Sequence, residues 1–150
     1  MENFIDLREA FPADSMHDQQ ITNIVLSSGT LSLHFDDLHF NTPYSPESQK
    51  YYDEHKSYHK CTLTFSGLEE ADLYAEVKKK KERSIEVIEY YDDEFIEFLK
   101  SNQFRVEISN FFYGYGTALI QGTMVNRTGS YGPDCLIKIS SDTVLYQWHS

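Results

Sequence analysis

The sequence predicts an α+β fold that is mainly antiparallel β, folded as a sandwich or a strongly curved partial barrel, with one good helix at 92–102 and a short N-terminal helix. The chain has 150 residues, which is the size of one domain, so we expect a single domain over 1–150. Eleven Tyr and ten Phe, against seven Gly and three Met, favour half-buried pleated surfaces. Nine strand-like segments joined mostly by short turns predict antiparallel pairing, because parallel pairs need long crossovers.

The N-terminal part predicts a helix followed by a hairpin. Residues 3–11 carry apolar side chains at helical spacing before Pro12, which is typical of a short amphipathic helix. Residues 21–26 and 30–36 flank a Ser-Ser-Gly turn and predict the first hairpin. The apolar alternation changes parity after Asp36-Asp37, which a β-bulge would explain.

The middle of the chain predicts a long loop and three strands. Residues 41–58 contain two prolines and four tyrosines without clean periodicity, as expected of a loop long enough to be functional. Alternating apolar residues then predict separate strands at 61–65, 73–77 and 85–90. The basic run 79–83 is most simply the solvated tip of a hairpin.

Residues 92–102 give the clearest helical pattern. Asp92 is the expected N-cap, while Asp93 and Glu94 suit the positive end of the helix dipole. Tyr91 and Ile96 have the spacing of a hydrophobic staple. The predicted buried stripe consists of Phe95, Phe98 and Leu99.

The C-terminal part predicts four further strands. Their expected ranges are 104–112, 117–126, 135–140 and 144–148. Turn-forming residues at 114–116, 129–133 and 141–142 separate them. We see no internal repeat and no domain linker.

Charge limits the classes of partner. The net charge is −11, and five of the 13 basic residues lie in 78–83, so the rest of the chain has 8 basic and 23 acidic residues, a net −15. Such a surface repels phosphate backbones and anionic lipid. We therefore expect no nucleic acid and no membrane as partner, and a basic protein as the natural complement.

Cysteine usage and the N-terminus indicate the cytoplasm. Cys61 and Cys135 are too few for a disulfide framework and lie in strand-like apolar runs, so we expect buried, reduced thiols. The first residues lack a basic segment followed by an apolar one, and no apolar stretch of about 18 residues occurs.

No residue pattern announces catalysis, a metal or a cofactor. His55 and His59 stand four apart but lack the glutamate and third ligand of a zinc site, so the spacing is most simply coincidence. No GxSxG elbow is present, and Gly114-Tyr115-Gly116 lacks the third glycine of a phosphate-binding loop. We expect neither a catalytic residue, a metal site nor a cofactor, and consider a non-enzyme the better interpretation.

One segment combines acidic and aromatic residues. From Ser84 to Leu99 there are six acidic residues and no basic ones. The simplest interpretation is a solvated face with helix capping; the alternative is a docking surface on which tyrosines anchor and carboxylates steer a cationic partner. The candidate partner-binding residues are Tyr90, Tyr91, Asp93, Glu94 and Glu97, together with Tyr51 and Tyr52 of the long loop.

Two segments carry a resemblance. Cys61-Thr62-Leu63-Thr64-Phe65-Ser66-Gly67-Leu68 with the following Asp72-Leu73-Tyr74, and Asn110-Phe111-Phe112-Tyr113-Gly114, resemble a loose group of small, acidic, β-rich bacterial proteins of unknown function. Some members of that group look like immunity proteins of polymorphic toxin systems. The resemblance implies a binding role without enzymatic residues and carries no site over to this chain.

Three functional hypotheses follow. The first is a non-enzymatic protein-binding module that neutralises or regulates a basic partner, such as a toxin nuclease. The second is a small-ligand binding domain or an enzyme that uses a β-surface pocket lined by Tyr and His. The third is a structural subunit in which an exposed edge, for instance 144–148, pairs across a twofold axis.

Overall fold

The computed structural model describes residues 3–6, 16–38 and 59–149. The strands in these ranges are β1 (Asn3–Asp6), β2 (Gln20–Ile21), β3 (Asn23–Ser27), β4 (Thr30–Leu38), β5 (His59–Lys81), β6 (Ser84–Tyr91), β7 (Arg105–Gly114), β8 (Thr117–Val125) and β9 (Tyr131–His149). Helix α1 (Asp93–Ser101) lies between β6 and β7. Every strand pair is antiparallel, which confirms the mainly antiparallel α+β class.

The two long strands β5 and β9 form the spine of the sheet. They pair from Lys60 opposite His149 to Ala75 opposite Cys135. The prediction of separate strands at 61–65 and 73–77, and at 135–140 and 144–148, is therefore wrong. The turn-forming residues lie inside the continuous strands, where the register shifts between Leu68 and Glu70. A bulge absorbs them instead of reversing the chain.

The remaining strands join the spine on both sides of this bulge. Strand β4 pairs with the part of β5 that precedes the bulge, and β6 pairs with the part that follows it, along the same edge of β5. The corresponding neighbours of β9 are β8 for its first half and β1 for its last residues. Because 145–148 pairs with both β1 and β5, this segment is not the exposed edge that the structural-subunit hypothesis placed at 144–148.

The two end strands of the sheet, β2 and β3, lie close together. The strand order is β2-β7-β8-β9-β5-β4-β3, and a flat sheet would separate β2 from β3 by about 29 Å. Only Thr22 separates them along the chain, and its amide donates a hydrogen bond to the carbonyl of His34 in β4 at 2.7 Å. The sheet therefore brings its end strands together, although the strand pairing does not close around it.

One apolar core fills the concave side. Alternate residues of the curved strands supply it, among them Leu33, Phe65, Ile137 and Tyr146, which are fully buried. Helix α1 covers part of this side and inserts the side chains predicted for its buried stripe. Phe95 and Leu99 are buried, and Phe98 is partly buried against the core. Burial of each fully enclosed side chain contributes about 1.5–3 kcal/mol.

Local turn chemistry follows the sequence closely. The first hairpin forms as predicted, with Gly29 at a φ of 77° in its turn, and the register shift between Phe35 and Leu38 confirms the bulge at Asp36-Asp37. Tyr115 and Gly116 form the turn between β7 and β8.

The N-terminal segment departs from the prediction. Asn3–Asp6 is a strand rather than the start of a helix, because its backbone pairs with residues 145–148 of β9. The rest of the predicted helix, 7–11, and the predicted loop 41–58 lie outside the described residues. None of the described helices is long and apolar enough to cross a membrane.

Candidate functional site at the junction of β6 and α1

The hairpin of β5 and β6 projects from the body of the sheet. A two-residue turn at Glu82-Arg83 sets the register, which runs from Lys81 opposite Ser84 to Tyr74 opposite Tyr91. Since β9 stops pairing with β5 at Ala75, the distal part of the hairpin has two strands only, and residues 78–87 are all exposed. The basic tip is solvated as predicted, although residues 79–81 belong to the strand.

The two tyrosines at the end of β6 lie on opposite faces. Tyr90 stacks on Phe98 of helix α1 with ring centroids 4.2 Å apart, and Phe98 in turn lies 5.8 Å from the ring of Phe104. Tyr91 packs against Tyr74 of β5 on the other face, at 5.1 Å. This division follows from the alternation of side chains along a strand.

Four of the predicted site residues line one groove. We call this groove of about 630 Å³ the helix groove; its lining residues are Tyr90, Asp93, Glu94, Glu97, Phe98, Ser101 and Asn102. None of these is basic. The hydroxyl of Ser101 donates a hydrogen bond of 2.9 Å to Glu97, and no described cation forms an ion pair with the three carboxylates.

Asp92 occupies the predicted N-cap position, and its carbonyl accepts a 3.0 Å hydrogen bond from the amide of Ile96, but the expected side-chain cap does not form. Its side chain makes no hydrogen bond to the helix N-terminus. Instead Oδ1 accepts a 3.0 Å bond from the amide of Leu73, and the amide of Asp92 donates to the Leu73 carbonyl at 2.9 Å. Asp92 adopts a positive φ of 49° to make both bonds, and it thereby ties the start of α1 to the spine.

Tyr91, which the sequence pairs with Ile96 as a staple, makes its hydrogen bond and ring contact on the hairpin itself. It belongs to a tyrosine–carboxylate cluster on the outer face of the hairpin, formed by Tyr74, Tyr91, Glu76 and Glu89. The Tyr74 hydroxyl donates to Glu76 at 2.7 Å and to Glu89 at 3.3 Å. The Tyr91 hydroxyl donates to Glu89 at 3.0 Å.

These bonds change the acidity of both phenols. The hydrogen bond to Glu76 is the largest cause that raises the pKa of Tyr74 above its ordinary value, and the hydrogen bond to Glu89 does the same for the pKa of Tyr91. An ionised phenol could not donate these bonds and would be repelled by the carboxylates. Both phenols therefore stay neutral and serve as donors that orient the two glutamates.

Comparisons with known protein families, with curated proteins and with solved structures found no match. The function of the helix groove and of the tyrosine–carboxylate cluster must therefore be inferred from their own residues. Both lie at one end of β6, on its two faces.

Sequence reasoning missed Tyr74 and Glu76. The signal that would have found them is the hairpin register: once Glu82-Arg83 is placed as a two-residue turn, Tyr74 falls opposite Tyr91 and Glu76 opposite Glu89. The other two candidates, Tyr51 and Tyr52, lie outside the described residues.

The remaining sequence-derived predictions concern the two cysteines and one pair of histidines. Cys61 and Cys135 are buried free thiols as predicted. Burial raises the pKa of Cys61, while burial and then the charge of Asp134 raise the pKa of Cys135 to about 12. Of the histidine pair whose spacing the sequence analysis set aside as coincidence, His55 lies outside the described residues. Within the described part of the chain no group of three or more His, Cys, Asp or Glu could hold a metal.

Proposed function

We propose that this chain is a non-enzymatic binding module that neutralises or regulates a basic protein partner, in the manner of an immunity protein, and that the partner docks on the helix groove. The observation that carries the proposal is the convergence of Tyr90, Asp93, Glu94 and Glu97 on one groove without a basic lining residue. The net charge of −15 outside 78–83 supports the same class of partner.

The tyrosine and the carboxylates of the groove contribute to binding in different ways. Tyr90 is already held against Phe98, so it loses little conformational entropy when a partner covers it. The exposed carboxylates add little affinity each, since ion pairs at the surface contribute about 0–1 kcal/mol. Their main effect is on the association rate of a cationic partner.

The fold and the compartment form part of this proposal. We take the strongly curved open sheet as a partial barrel that holds α1 and β6 in a fixed relation, because both pack on the same core. We place the interaction in the cytoplasm, where the two free thiols would stay reduced.

Capture from an extract of the native host tests the proposal. The bait is the wild-type chain, and the variant is Asp93→Lys, Glu94→Lys, Glu97→Lys. We expect a basic protein to be recovered by the wild type and to associate with the variant at least about tenfold more slowly at low salt. The salt dependence of the on-rate should flatten as well.

A matched control separates the groove from overall charge. The variant Asp37→Lys, Glu69→Lys, Glu82→Lys changes the net charge equally at three exposed positions outside the groove. It should bind at nearly the wild-type rate. Recovery of no basic protein, or equal rates for the two triple variants, would refute docking on the helix groove.

The alternative is a small-ligand binding domain or an enzyme. A groove of about 780 Å³ across the outer face of the sheet favours it, since Tyr74, Glu76, Lys78, Asn110 and Gln121 converge there. This groove contains one tyrosine and no histidine, unlike the pocket expected from the sequence. A metabolite that raises the melting temperature of the wild type, but not of Tyr74→Phe, would support this alternative.

A further inference from the structure

Among the described residues, strand β6 leaves one edge of the sheet open. Its eight residues pair with β5 and with no other strand in the described ranges. It contains neither a proline nor a bulge, and the side chains of Ile85 and Val87 are 62% and 49% exposed. Natural proteins usually protect such an edge, because it is a template for pairing with another strand.

The two ends of β6 carry opposite charge. The hairpin tip before it holds Lys79, Lys80, Lys81 and Arg83 with Glu82 among them, whereas Asp92, Asp93 and Glu94 follow it. Lys81 also forms an ion pair of 3.0 Å with Glu86 of β6, which leaves the tip with a net positive charge. Eight residues of strand separate these groups by about 27 Å, well beyond the Debye length of about 8 Å at physiological ionic strength. Each end therefore acts as a separate local charge.

We propose that a second copy of this chain pairs with β6, strand against strand and antiparallel, across a twofold axis. Antiparallel pairing places the basic tip of each copy beside the acidic helix start of the other. Parallel pairing would bring tip to tip and helix start to helix start, so charge complementarity decides the orientation. Each chain has a net charge of −11, which repels the other copy. This repulsion is weak, because most charges of one copy are farther from those of the other than the screening length.

Side-chain pairing selects a register. In this register, the twofold axis is perpendicular to the sheet and passes between Ile88 of one copy and Ile88 of the other. Side chains that share a face of β6 then share a face of the combined sheet. Ile85 then lies opposite Tyr91, and both are more than half exposed in the single chain. Val87 lies opposite Glu89, and no two glutamates face each other directly. Covering Ile85 and Tyr91 supplies apolar burial that the ion pairs alone would not.

Complementary charge swaps test the proposal with the purified chain alone. One variant is Lys81→Glu, Arg83→Glu, and the other is Asp93→Lys, Glu94→Lys. Each variant places like charges at both contacts of its own dimer, whereas a mixed dimer has opposite charges at both. Sedimentation velocity should show a weak wild-type dimer, as expected of an interface formed by one strand and its ends. We expect each variant alone to dissociate at least about tenfold more readily, and their equimolar mixture to recover wild-type association.

Hydrogen exchange provides the second measurement. Amides along one edge of 84–91, at alternate residues, should gain protection as the wild-type concentration rises, because only every second amide of a strand points outward. Circular dichroism checks that both variants keep the fold.

Three results would overturn the proposal. They are a wild-type chain that stays monomeric up to about 1 mM, a mixture that associates no better than its parts, and protection that does not depend on concentration. None of these measurements involves a basic partner. Both proposals use Asp93 and Glu94, whereas Lys81→Glu, Arg83→Glu changes the dimer contact without changing the groove. The docking proposal for the helix groove can therefore fail without affecting the dimer test.

Discussion

Gly67 of β5 and Asp142 of β9 are in contact where the two spine strands bend together. A Cβ built on Gly67 would lie 2.8 Å from the Cβ of Asp142 and closer still to its carboxylate. Gly67 also has a φ of 66°, which side chains disfavour. The position therefore requires glycine for two separate reasons, backbone conformation and space.

Replacing Gly67 with alanine should destabilise the fold by about 2–4 kcal/mol, since both penalties apply. Gly29→Ala is the matched control, because Gly29 has a φ of 77° but nothing within 4 Å of the added Cβ. It should cost only about 1–2 kcal/mol. Urea denaturation measures both variants, and equal losses would show that contact with Asp142 does not matter.

The bond between Asp92 and Leu73 predicts a graded series at position 92. Asp92→Ala removes the acceptor for the Leu73 amide and should cost about 1–3 kcal/mol. Asp92→Asn keeps an acceptor oxygen while losing the charge, so most of the stability should remain. Chemical denaturation gives the free energies, and hydrogen exchange at the Leu73 amide gives the local effect. If Asn and Ala are equally destabilising, the charge rather than the bond is what matters.

The two thiols should react slowly in the native protein. Cys61 and Cys135 are buried, and the pKa of each is raised. Labelling with a thiol reagent at pH 8 should therefore proceed at the rate at which the protein opens and should accelerate in denaturant. Fast labelling of Cys61→Ser or of Cys135→Ser under native conditions would show that the remaining thiol is accessible.

Raised thiol pKa values also set a pH dependence. For Cys135 the pKa rises from 9.0 to about 12 on folding, so its neutral form is favoured in the folded state. The stabilisation is fully present below pH 9 and is lost as pH rises towards 12, because the unfolded thiol ionises first. Urea denaturation at pH 8 and pH 10 should show a smaller decline for Cys135→Ser than for the wild type.

Tyr74 should ionise at a higher pH than an ordinary tyrosine. Its hydrogen bond to Glu76 is the main cause of the raised pKa, so Glu76→Gln should shift the pKa down towards its usual value. Ultraviolet absorbance near 295 nm follows phenolate formation, and Tyr74→Phe identifies the transition. Glu69→Gln, at an exposed carboxylate outside the cluster, is the control. An unchanged titration in Glu76→Gln would argue against the observed bond.

Local signals in the sequence predicted local structure well. Alternation and turn residues located the first hairpin, and the change of parity at Asp36-Asp37 located a bulge. Helix α1 begins and ends within one residue of the predicted range. Each of these features depends on residues that are close in the chain.

Features that depend on distant pairing were not predictable in this way. Gly67 and Asp142 are of residue types that are common in turns, so each predicts the end of a strand. Only the pairing of β5 with β9 shows that both strands continue through these positions. The role of Asp92 likewise depends on Leu73, which is 19 residues away. Tyr90 and the three carboxylates of the groove were found because they are neighbours in sequence, whereas Tyr74 was missed because it joins the site across a hairpin.

The spine of β5 and β9 also bears on how the chain folds during synthesis. Cys61 of β5 pairs with Trp148 of β9, so the two strands of the spine are far apart along the sequence. Until residues 131–149 have left the ribosome, the apolar side chains of β5 have no partner on that side. Sheets with such distant pairing fold slowly and expose surfaces that attract chaperones or other nascent chains. Slowing of translation before residue 131 should prolong that exposed state and lower the soluble yield.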